Sequence, residues 1–297
     1  MFTGLSAFPL TPVTEDGVEE DSFAALVARL AGAGVDSIGA LGSTGSYAYL
    51  RREERARALR IAVANAGSTP VVAGIGALRT RHALEAAEDA QLAGVAGVLL
   101  APMSYQRLTE YEVFGLFEDV TANLSVPLVV YDNPGTTHFT FTDELYARVT
   151  ELPHVASIKI PGVPADPEAA RARVEELRRL LPDRVTVGVS GDVYGATGLN
   201  AGCDAWYSVI AGTFPEPALT ITRAARSGDA DGARQAAQRL QPLWDLFARH
   251  GSLRVIAEAA EHVGLIPPRS LPLPVRGLGA EARAQVADVV DRLGLRA

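Results

Sequence analysis

The 297-residue chain has a single cysteine, Cys203, which excludes an intrachain disulfide and a cysteine-built metal cluster. A reducing, cytoplasmic setting is the expectation that follows. Long apolar runs are also missing: nothing approaches the roughly 20 residues that a membrane helix needs, so no membrane partner is expected. The opening MFTGLSAFPLTP has neither the basic start nor the apolar stretch of a signal peptide. Positive charge is not in excess either, the formal net charge being −8. That balance argues against nucleic acid as a partner. The five histidines (His82, His138, His154, His250 and His262) show no ligand spacing, so no metal is expected. With 48% hydrophobic and 21% charged residues, what remains is an ordinary globular chain rather than a fibrous or disordered one.

Lysine is the most informative scarcity. The 27 basic residues comprise 26 arginines and one lysine, Lys159. A coding bias that exchanges solvated lysines for arginines accounts for the general shortage. It leaves open why one lysine persists. Arginine stays protonated, whereas a lysine amine can lose its proton and act as a nucleophile. A position that requires an amine is one where arginine cannot stand in.

Short apolar segments alternate with amphipathic helical ones. Strands are predicted at 5–10, 37–41, 71–75, 97–101, 128–131, 156–160, 185–189 and 205–210. They are β-branched and continuously apolar, as in a parallel sheet covered on both faces. Helical patterns such as DSFAALVARLAGAG and DPEAARARVEELRRLL lie between them, several starting at Asp, Ser or Thr and several ending at Gly. Eight strand–helix units predict an α/β protein, a (β/α)8 TIM barrel over 1–226, with a doubly wound open sheet as the alternative. Residues 227–297 read as three further helices packed on the barrel.

A barrel of this kind carries its active site where the strands end, at their C-terminal side. Strand two runs into GSTGS, with Ser43 and Thr44 between two glycines. That turn is either a plain tight turn or a cradle of amides and hydroxyls for a carboxylate. Strand five ends in YDNPG, where Tyr131 serves as packing or as a proton relay. Strand six is SIKIPG. Alternation sends Lys159 to the side opposite Ile158 and Ile160, into the barrel mouth if the isoleucines face the helices. Burial there lowers the amine pKa, as a Schiff-base lysine requires. The competing reading is an ion-paired structural lysine or one snorkelling to solvent. Strand seven ends in VSGD, and Asp192 there disfavours a phosphorylated substrate.

These three motifs, in this order and spacing, together with AFPLTP near the start and the helical tail, resemble the N-acetylneuraminate lyase/dihydrodipicolinate synthase family of class I, pyruvate-handling aldolases. The resemblance implies a lyase that needs no cofactor. Its small-molecule substrate would be a 2-oxo acid such as pyruvate or a 2-keto-3-deoxy sugar acid. Lys159 would form the imine, Tyr131 would shuttle the proton, Thr44 would be a third catalytic residue, and Ser43 and Thr44 would hold the substrate carboxylate. Tyr207, in WYSVI, would line the same site, largely through its backbone. A homo-oligomer, a tetramer, is implied as well.

The chain also departs from the pattern. Ser46 replaces an acid that often follows the GSTG turn. Thr136 stands where dihydrodipicolinate synthases carry an arginine that grips the second substrate's carboxylate, and threonine cannot make that bidentate clamp. The tyrosine pair after strand four is altered to Ser104 and Tyr105 in APMSYQ. A neutral or hydroxylated second substrate therefore fits better than aspartate semialdehyde, and Thr136 and Tyr105 are the expected contacts on that side. Dihydrodipicolinate synthase activity and a non-catalytic barrel that binds 2-oxo acids are the alternatives.

Overall fold

In the computed structural model, which describes residues 2–297, eight parallel strands close into a barrel. The strands are β1 (Gly4–Ala7), β2 (Ser37–Ala40), β3 (Val71–Gly74), β4 (Gly97–Leu100), β5 (Leu128–Tyr131), β6 (Val155–Ile160), β7 (Thr186–Ser190) and β8 (Ala205–Ser208). Each pairs with its sequence neighbours, and β1 closes the ring by pairing with both β8 and β2. The open-sheet alternative is thereby excluded. The helices between strands are started by local side chains. Thr109 caps Glu110–Thr121 in a reciprocal box with Glu112, and Asp166 caps Pro167–Leu180 with proline in the first turn.

Strand alternation sorts the side chains into two cores. Ile158, Ile160 and Val130 join the large layer between barrel and helices. Val129, Tyr131, Tyr207 and Phe8 fill the barrel itself. Each fully buried aliphatic or aromatic side chain contributes about 1.5–3 kcal/mol, so the outer layer dominates stability. The barrel interior is left to position polar groups.

Several boundaries differ from the sequence expectation for identifiable reasons. The first strand stops at Ala7 because Pro9 has no amide for the ladder and Phe8 turns inward. The last stops at Ser208 because the amides of Val209 and Ile210 donate to the Asp192 carboxylate at 3.0 and 2.7 Å. A two-residue antiparallel hairpin, Val13–Thr14 with Gly17–Val18, was not expected at all. The tail holds four helices rather than three: the first expected helix breaks at Leu240 into Ala230–Arg239 and Gln241–His250, with Pro242 in the opening turn of the second. Among the described residues, no helix is long and apolar enough to cross a membrane.

Candidate active site

A cavity of about 650 Å³ opens at the C-terminal ends of the strands, and Ser43, Thr44, Tyr131, Lys159 and Tyr207 all line it. The ends of seven strands, with the loops after them, converge there because the register aligns them. Tyr131 lies directly beside Lys159 across the β5–β6 ladder, and Lys159 lies beside Gly188 across β6–β7. A side chain at position 188 would collide with the Tyr207 ring, so glycine there lets Tyr207 lie across the barrel. Its hydroxyl meets Ser157 Oγ at 2.8 Å, below the cavity, leaving the ring as the surface next to the lysine.

The Lys159 amine is enclosed. The side chain is 5% exposed, and Nζ sits 3.9 Å from the centroid of Phe8, 4.1 Å from Tyr131 and 5.5 Å from Tyr207. Burial pulls its pKa down to about 7, opposed by the negative charge of Asp192. The three ring faces also favour the ammonium and, like Asp192, work against the lowering by burial. No carboxylate forms a salt bridge with Lys159 among the described residues, so the structural ion-pair reading fails. Asp192 is itself fully enclosed. Burial raises its pKa to about 6 despite the two backbone amides and Ser208 that bond it.

Tyr131 is held by its hydroxyl. Ser43 Oγ lies 3.2 Å from it, and Asn133 Nδ2 donates to it at 2.7 Å. Burial raises the phenol pKa, and the two hydrogen bonds work against that rise. The GSTG turn is shaped by close packing. Gly42 faces the Phe8 ring with no room for a Cβ, and Leu41 adopts a left-handed conformation with φ 56°. The amides of Ser43 and Thr44 donate to no other backbone group among the described residues, which leaves them free for an anion.

Thr136 lines the mouth of the cavity, exposed, with Thr137 buried behind it. Tyr105 is a correction. It is 92% exposed and does not line the cavity; the loop after β4 presents Met103 to the wall instead. The hydroxyl on Tyr131 is that of Ser43 and not of Thr44, although both residues line the cavity. Several contributors were missed, Phe8, Asn133, Ser252 and Leu253 among them. Phe8 and Asn133 carried no recognised signal, although Asn133 lies inside the quoted YDNPG. Ser252 and Leu253, from the tail, reach over the barrel mouth and line the cavity. Lys159 is the one charged side chain in the lining among the described residues.

Comparison with known proteins agrees with this geometry. The chain matches the dihydrodipicolinate synthetase family over residues 1–293. A dihydrodipicolinate synthase from Agrobacterium tumefaciens str. C58 superposes with a TM-score of 0.94 at 44% identity, covering 98% of both chains. The 4-hydroxy-tetrahydrodipicolinate synthase of Phenylobacterium zucineum (strain HLK1) is 31% identical over 99% of this chain and 98% of its own length. The fold is shared by the chloride-inhibited synthase of Acinetobacter baumannii in complex with pyruvate, with a TM-score of 0.90 at 24% identity and coverage of 99% of this chain and 100% of that one. The chain belongs to the dihydrodipicolinate synthetase family, class I lyases that work through a lysine Schiff base.

Proposed function

We propose that the protein cleaves or forms a carbon–carbon or carbon–oxygen bond of a 2-oxo acid through an imine on Lys159, with a partner that carries no second anionic group. The observation that carries the first half is the enclosed amine 4.1 Å from the Tyr131 ring, with a pKa near 7. Nζ adds to C2 of the 2-oxo acid, whose carboxylate sits on the Ser43 and Thr44 amides and hydroxyls. Tyr131 donates the proton with which the carbinolamine hydroxyl leaves as water. The protonated imine then accepts the electron pair of the breaking C3–C4 bond, giving an enamine, while the Tyr131 phenolate takes the proton of the C4 hydroxyl and an aldehyde departs. Protonation at C3 and hydrolysis free the lysine. Condensation runs the same steps in reverse.

The second half rests on the lining. Thr136, Thr137, Asn133, Ser190 and Ser252 offer hydroxyls and an amide, and no guanidinium faces the cavity among the described residues. A carboxylate on the aldehyde would be buried without a bidentate partner, whereas hydroxyls would find hydrogen bonds. With pyruvate as donor, kcat/KM for a neutral hydroxyaldehyde such as glyceraldehyde should exceed that for aspartate semialdehyde by about tenfold or more, the loss expected for one missing charged contact. The reverse preference in a product assay would make the chain a dihydrodipicolinate synthase. Pyruvate binding without turnover of any aldehyde would support the non-catalytic reading.

Assembly into a homo-oligomer, a tetramer by resemblance, belongs to the same proposal. Tyr105, 92% exposed on the single chain, lies in the region that the resemblance sets near such a contact. Sedimentation of the purified protein should show a multimer, and a monomer at micromolar concentration would remove this part of the proposal.

A further inference from the structure

We infer that Asn133 is a positioning residue that orients the Tyr131 hydroxyl for proton transfer by occupying its lone pair and directing its proton toward Ser43 and the bound substrate. The inference rests on the role proposed above for Tyr131. Asn133 stands at the N-cap of the short helix Pro134–Thr137, a place where asparagine usually caps with its own side chain. Here it makes no capping hydrogen bond. The helix start relies instead on the Asn133 carbonyl, which accepts from the amides of Thr136 and Thr137 and from the Thr137 hydroxyl at 3.0 Å. The side chain is left free for another use.

That use is visible in the distances. Asn133 Nδ2 donates to Tyr131 Oη at 2.7 Å and is only marginally placed for Ser43 Oγ, at 3.5 Å. An amide nitrogen donates and does not accept. The phenol oxygen therefore receives this bond, and its own proton has two destinations: Ser43 Oγ at 3.2 Å or an oxygen of a bound substrate in the cavity. The reverse amide orientation would offer an acceptor and tie up the only proton that Tyr131 can give.

The same donor also favours the phenolate, the form that takes the proton back. The other groups around Tyr131 pull in different directions. Asp132, next in the chain, opposes ionisation, and Ser43 assists it. Tyr47, buried in the same wall, interacts unfavourably with a second phenolate. The Lys159 amine lies against the ring face.

The test compares the full-length wild type with N133A and N133D. Each is measured for borohydride trapping of pyruvate on Lys159 and for kcat with the preferred aldehyde across a pH series. N133D keeps the size of asparagine and turns the donor into an acceptor, so it carries the test alone if N133A does not fold. The expected result is full labelling of Lys159 on long incubation, with kcat lowered about tenfold, as for loss of one hydrogen bond to a charged group. The alkaline limb of the pH profile, where Tyr131 loses the proton it must donate, should move upward by about one pH unit, because the donor that favours the phenolate is gone. KM for pyruvate should change little, because the carboxylate cradle is untouched. A rate close to wild type overturns the inference. So does a lowered rate with an unmoved pH profile, since a side chain that only packs would give that. Wild type that cannot be labelled at Lys159 overturns the imine reading itself, and this inference with it.

Discussion

Lys159→Ala is expected to abolish turnover, lowering kcat by at least about 10³-fold, as removal of a nucleophile does elsewhere. Incubation of the wild type with pyruvate and borohydride should add the mass of one reduced pyruvate to the peptide that contains Lys159, and the variant should gain none. The chain has no other lysine, so a side-chain adduct has one possible address. Formation of the adduct should depend on pH in a definite direction. The pKa of the buried amine is lowered from 10.5 to about 7, so the nucleophile is protonated below that value and neutral above it. The rate of trapping should therefore rise through a midpoint near 7. A midpoint close to that of a solvated lysine would mean that water reaches the amine, and labelling that persists in Lys159→Ala would place the chemistry at the N-terminal amine or nowhere specific.

Tyr131→Phe should lower kcat by about 10²–10⁴-fold, the range for loss of a positioned acid–base group. The ring that flanks Lys159 is kept, so the amine should remain enclosed and the adduct should still accumulate on long incubation. Slow chemistry with intact labelling is the signature of a lost proton relay. A fall of less than about threefold would assign the proton to Ser43 or to water, because a 1.4 kcal/mol change in barrier already corresponds to tenfold.

The fold was legible where a single physical rule governs. Continuous apolar strands, helices capped by Thr109 and Asp166, and the parity of Ile158–Lys159–Ile160 follow from short-range pattern, and the structure has them as expected. The end of β8 depends on a group distant in sequence. No local signal says that the amides of Val209 and Ile210 will be taken by Asp192, which ends β8 early. The candidate site divides in the same way. Ser43, Thr44, Tyr131, Lys159 and Tyr207 are placed by strand register and converge. Tyr105 lies on a loop whose path no register fixes, and it ended in solvent. Asn133 lies within the YDNPG motif, but only its distance to Tyr131 reveals its employment. Ser252 and Leu253 were beyond reach, since a chain of helices does not announce which turn will lean over the barrel.

The packing of Phe8 against Gly39 and Gly42 ties three distant positions to one another. A methyl group at either glycine would meet that ring at 2.4 or 2.5 Å, so neither can acquire a side chain while the phenylalanine remains. Within the lineage these positions should covary: relatives with a small residue at the first are the ones free to carry alanine or larger at the other two, and in them the nucleophile would rest on a different floor.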